Sequence, residues 1–92
     1  MPNRAHVRWG KLQGIDLVLE DRAVIHLNGW GATVVGAELE WAGREGTEPE
    51  VELRNGGALV GTLTRGRARE VGEELLRKAA IERMMHPKSG GG

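Results

Sequence analysis

Few side chains in this chain could do covalent or acid–base chemistry. There are three histidines, His6, His26 and His86, four threonines and one serine, with no cysteine and no tyrosine. Without cysteine there is no thiolate nucleophile, no disulfide and no cysteine zinc site. Ser89 lies in a glycine-rich end, and Thr33, Thr47, Thr62 and Thr64 have no histidine beside them in sequence, so nothing marks an activated hydroxyl. The histidines are too dispersed for a recognised metal motif. The nearest approach to an ion site is Asp16 and Glu20 on one strand face with His26 adjacent, a weak arrangement. No metal and no cofactor is expected, and the chain reads as a non-enzyme.

Glycine-rich runs do not change that. Gly29-Trp30-Gly31 and Asn55-Gly56-Gly57 lack the GxxxxGK[ST] spacing that wraps a phosphate, and no GxGxxG stands between a strand and a helix. Both read as turns.

Two short clusters carry the functional expectation. Arg65, Arg67 and Arg69 stand at the start of a predicted helix, where cations oppose the helix dipole at a cost of a few tenths of a kcal/mol each. Either an anion is expected there, a phosphate or a partner's carboxylate at free backbone N–H groups framed by the arginines, or the arginines pair with the acids Glu38, Glu40, Glu45, Glu48, Glu50 and Glu52. At the other end of the same helix Ile81, Met84 and Met85 fall on the polar face, off the apolar stripe. Exposed Ile and Met clusters mark protein interfaces, although the same residues could equally touch an N-terminal turn.

The elements that hold these clusters follow from periodicity. Alternation predicts strands over 5–11, 15–20 and 23–27. Asn28-Gly29 reads as a hairpin turn, and 32–42 as a fourth, longer strand with Val35, Ala37, Leu39 and Trp41 on one face and a bend at Gly36. Residues 43–49 read as an exposed loop. Residues 50–64 read as a hairpin around Asn55-Gly56-Gly57. Residues 66–85 carry the helical rhythm, with Ala68, Val71, Gly72, Leu75, Leu76 and Ala79 as the buried stripe. The glutamates Glu73 and Glu74 precede Arg77 and Lys78 by four residues on its outer face. His86-Pro87 ends it, and 88–92 reads as a flexible tail.

The expected architecture is therefore α+β: one domain over 1–87, an antiparallel meander of about six short strands, bent or partly closed, covered by one C-terminal helix. A chain of 92 residues buries only about 60 to 65% of its unfolded surface, so association with itself is one route to stability. A hydrophobic fraction of 39% is too high for a disordered chain, and no run is long enough to span a membrane. The start, MPNRAHVRWG, has no apolar signal core, and a cytoplasmic location is expected.

Charge is zero overall but uneven: Arg4, Arg8 and Lys11 near the start, nine acids against three arginines over 16–55, and seven bases against four acids over 56–92. A pI near 6.8 leaves little repulsion between copies. The three aromatics are Trp9, Trp30 and Trp41, so the core must be aliphatic. Zero net charge without Phe or Tyr argues against a platform that stacks single-stranded bases. The end LTRGRAREVGEELLRKAA resembles the strand-then-helix ending of many small proteins of actinobacteria and their phages, over those residues only.

Three functions are consistent with this. The first is protein–protein contact, including self-association, through Ile81, Met84 and Met85 with an open sheet edge. The second is nucleic-acid or phosphate binding through Arg65, Arg67 and Arg69. The third is a phage-type or regulatory inhibitor that sets its acidic stretch, 38–52, against a basic host surface.

Overall fold

The computed structural model describes residues 5–11, 13–19, 23–55 and 57–85. Five strands and two helices follow in the order β1 (Ala5–Trp9), β2 (Ile15–Leu19), β3 (Ala23–Leu27), α1 (Gly29–Glu45), β4 (Glu50–Asn55), β5 (Ala58–Thr64) and α2 (Arg65–Met85). The expected α+β class, antiparallel pairing and C-terminal helix are present. The single meander is not. Strands β1, β2 and β3 form one antiparallel sheet in that order, and β4 and β5 form a separate hairpin.

The three-stranded sheet has the alternation expected of it. Val7, Leu17 and Ile25 stand opposite one another across the strands, as do Trp9, Ile15 and Leu27. Ile15, Leu17, Leu19 and Ile25 are buried in the core. The β1–β2 turn is closed by a hydrogen bond from Gly10 N–H to the Gly14 carbonyl at 2.9 Å, and Gly14 takes φ +86°, which only glycine adopts without strain.

The predicted fourth strand is a helix. Asn28 caps it: with extended backbone, its side-chain oxygen accepts from Gly31 N–H at 2.6 Å. Asn-Gly serves a hairpin turn and a helix start equally, and here the following seventeen residues decide. Ala32, Val35, Gly36, Leu39 and Gly43 repeat at three- and four-residue intervals and all face inward, with Ala32, Gly36 and Leu39 buried. The period-two set read in the sequence breaks up: Leu39 is buried whereas Ala37 and Trp41 are exposed. Gly36 marks a helix crossing rather than a bend in a strand.

Helices α1 and α2 lie antiparallel. Gly43 packs on the backbone of Arg65 and Arg69, Gly36 on Gly72 and Leu75, and Gly29 on Glu82. The glycines seven apart let the two backbones come close at Gly36 and Gly43, while at Gly29 the space is taken by the Glu82 side chain. Gly72 of α2 therefore admits a helix, where the pattern suggested the sheet. Of its predicted stripe, Ala68, Val71, Gly72, Leu75 and Ala79 are buried and Leu76 is half-buried. Thr64 caps α2 by accepting from Arg67 N–H at 3.2 Å.

Buried side chains from both sheets and both helices form one continuous aliphatic cluster, with Leu53 and Leu63 supplied by the hairpin. The molecule measures 43 × 28 × 21 Å along its principal axes, and α2, at 21 residues, is its longest element. Residues 86–92, and with them the predicted stop and tail, lie outside the described residues, as do Glu20 and the predicted turn at 21–22.

Candidate functional site

The end of α2 emerges beside the β1–β2 turn. Glu82 accepts from Gly14 N–H at 3.2 Å, which fixes the helix end to that turn, and Arg83 reaches Thr33 Oγ1 of α1 at 3.4 Å. Ile81 and Met85 then wall a cleft of about 530 Å³ whose other side is Trp9, Gly10, Gln13 and Gly14. The contact with an N-terminal turn, one of the two readings of this end, is thus present. It does not cover the apolar side chains: Met84 is 80% and Met85 68% exposed, and Ile81 is exposed as well. Lys78 places its ammonium 5.0 Å from the centre of the Trp9 ring and 2.9 Å from Glu74.

The sequence reading overlooked the larger part of the apolar surface. Trp30, Val34, Ala37 and Trp41 follow at four, three and four residues along α1, all exposed, on the side opposite Ala32, Gly36 and Leu39. Trp30 is 76% exposed. A helical reading of 29–45 would have found this stripe from spacing alone. With Trp9 also exposed, no tryptophan of the chain enters the core.

The arginine cluster makes its ion pairs within α2 rather than with the acidic stretch. Arg67 bonds Glu70 at 2.9 Å and donates to the Ala5 carbonyl, tying the start of α2 to β1. Arg69 meets Glu73 at 3.4 Å. Arg65 has its Nε buried with no hydrogen-bond partner among the described residues. None of the three pairs with the acids of 38–52 among the described residues. On the outer face Glu74 takes both Lys78 and Arg77, leaving Glu73 to Arg69.

On the sheet face turned away from the helices, Arg8, Asp16 and His26 form one cross-strand row. Asp16 is 3% exposed and accepts from Arg8 Nε at 3.3 Å and from His26 Nδ1 at 2.7 Å, Nδ1 being the donor because a carboxylate only accepts. The His26 bond above all, followed by that of Arg8, holds the Asp16 carboxyl below the ordinary carboxylate range, against the opposing effect of burial. The hollow over this row is completed by Gly10, Lys11, Gln13 and Val24, none of which carries a hydroxyl or thiol to activate. Glu20, the third member of the predicted ion site, is outside the described residues. No group of three metal-binding side chains occurs among the described residues, and no described helix is long and apolar enough to cross a membrane.

No protein-family model matches the chain, and neither curated proteins nor solved structures give a match.

Proposed function

We propose that the protein is a non-enzymatic contact module that works by docking to protein surfaces, itself included, through apolar side chains at the end of α2. Ile81, Met84 and Met85 form the centre, with Trp9 alongside and Trp30 at the neighbouring start of α1. One observation carries this reading: the bulkiest apolar side chains, all three tryptophans and two methionines, are exposed while the core is filled with Leu, Ile, Val and Ala. A tryptophan can bury about 150–250 Å², so leaving Trp9 43%, Trp41 57% and Trp30 76% exposed forgoes a large part of the burial energy the chain has, and tryptophan is among the residues most enriched at binding hot spots. The flexible thioether of methionine suits an adaptable surface.

Association driven by apolar contact persists at high ionic strength, because salt screens charges and leaves hydrophobic burial intact. Sedimentation over a wide range of concentration, at low salt and at about 0.5 M salt, tests this reading: oligomer retained at high salt supports it, and dissociation points to charge instead. Nucleic-acid binding through Arg65, Arg67 and Arg69 is the lesser reading, because Arg67 and Arg69 are already engaged by Glu70 and Glu73 of their own helix.

A further inference from the structure

A second surface lies at the opposite end of the helix pair, where α1 ends at Gly46 and the chain enters β4. Trp41, Glu48, Glu50, Val51 and Glu52 enclose an open hollow of about 420 Å³ there. We propose that this hollow receives an extended, lysine- or arginine-bearing segment of a partner protein, which adds to the open edge of β4 and lays one cationic side chain over Trp41 among the carboxylates. The proposal goes beyond the apolar contact at the end of α2 and stands independently of it.

Three observations converge. The first is charge. Glu48 and Glu50 make no ion pair or hydrogen bond among the described residues, and Glu52 meets only Arg54, at 3.0 Å. An incoming cation would find carboxylates not yet neutralised, which also disfavours a phosphate backbone as the occupant.

The second is the aromatic face. Trp9 already carries a cation of its own chain, Lys78, whereas Trp41 is 57% exposed and no described cation lies over its ring. Arg44, three residues further along the helix, is turned away to Glu40 at 2.9 Å and to Glu45. An indole face beside carboxylates attracts a cation by its quadrupole as well as by their charge.

The third is the backbone. β4 pairs with β5 on one side and with no other described strand, so one edge keeps free N–H and C=O groups. An extended peptide adds to such an edge through main-chain bonds while alternate side chains enter pockets, and Val51 offers apolar surface for the residue between cations. Pro49 restricts the loop that carries Glu48, which lowers the ordering cost of binding.

The test uses the whole protein and two capped octapeptides, one alternating Lys with Val and one alternating Glu with Val, followed by amide and indole NMR shifts. The Lys/Val peptide is expected to shift the Trp41 indole and the amides of 50–53, and to weaken about tenfold between about 0.05 and 0.3 M salt. Trp41→Ala and the double change Glu48→Gln, Glu50→Gln are expected to weaken it roughly three- to tenfold each. Met84→Glu is expected to leave it unchanged. All four positions are exposed, and retained dispersion of the spectrum shows that a variant has folded. Equal binding of the Glu/Val peptide, shifts centred elsewhere, no response at millimolar peptide, or an unchanged affinity in both variants overturns the proposal. So does lysinamide binding as tightly as the peptide, since strand addition would then contribute nothing.

Discussion

Gly36 and Gly72 meet where the two helices cross: a Cβ on Gly72 would stand 2.6 Å from the Gly36 carbonyl oxygen and closer still to the amide nitrogen of Glu40, and one on Gly36 would stand 3.0 Å from the Gly72 carbonyl oxygen. Both obstacles are backbone, which cannot swing aside. The crossing thus exists because both residues lack a side chain, and it sets the position of every surface residue on α1 and α2, including Trp30, Trp41 and Met84.

Gly72→Ala is accordingly expected to destabilise the protein by about 2–3 kcal/mol, although alanine is intrinsically the better helix former by about 1 kcal/mol. Gly66, on the same helix with open space where its Cβ would lie, is the control: Gly66→Ala is expected to stabilise by about 0.5–1 kcal/mol. Urea unfolding of both variants checks the pair, and stabilisation by both would show that propensity rather than close approach governs α2.

The row Arg8–Asp16–His26 makes stability fall in acid. Asp16 has a lower pKa folded than unfolded, so its contribution is complete above the ordinary carboxylate range, about 4, and disappears as pH falls through the folded value. Asp16→Asn is expected to cost roughly 1 kcal/mol at neutral pH, a modest figure because Arg8 and His26 are themselves exposed. The difference from the parent should shrink as pH falls below the ordinary carboxylate range and vanish once Asp16 is protonated in both the folded and the unfolded chain. Unfolding midpoints measured across this range decide it; a difference that grows in acid would mean the carboxylate is not held by these two partners.

Glu82 joins the end of α2 to the β1–β2 turn through Gly14 N–H. Glu82→Ala is expected to cost about 1 kcal/mol and to speed hydrogen exchange at the Gly14 amide several-fold while leaving the amides of β4 and β5 unaffected. Uniform acceleration over the whole chain would instead indicate global destabilisation.

Much of this was legible in the residues. Strands β1, β2 and β3 were legible from the period-two placing of Val7, Leu17 and Ile25, although central β2 is buried on both faces, Asp16 and Val18 included, and the hairpin and α2 stand where turn chemistry and the 3.6-residue rhythm put them. α1 was misread for a physical reason: Val35, Ala37, Leu39 and Trp41 satisfy a period of two while Ala32, Val35, Gly36, Leu39 and Gly43 satisfy a helical one, and valine pairs with glycine suggest a strand. The deciding signal was Gly29, Gly36 and Gly43, seven apart, with Gly36 matched by Gly72 of α2. That one reversal hid the outer stripe of α1 and turned the acidic stretch from a strand face into two separate surfaces. The ion pairs of Arg67 and Arg69 were missed because the acids sought for them were distant in sequence, whereas Glu70 and Glu73 were one helical turn away.

If the arginines serve α2 itself, removing their charge should not alter contact with nucleic acid. Arg65→Ala with Arg69→Ala is expected to leave the binding of duplex DNA and of RNA at low salt unchanged, as read by fluorescence anisotropy of a labelled oligonucleotide. A clear loss of affinity, accompanied by a shallower salt dependence, would restore the phosphate-binding reading.

The most direct measurement of the central claim is the sedimentation-derived mass of the wild-type chain and of Met84→Glu, compared at high micromolar concentration in about 0.5 M salt. Met84 is so exposed that the substitution spares the fold, while a carboxylate at the centre of an apolar contact must lose its water to stay there. The expected result is an oligomer for the wild type and a monomer, equally folded, for the variant. A wild type that stays monomeric throughout, or an oligomer that Met84→Glu leaves intact, contradicts it.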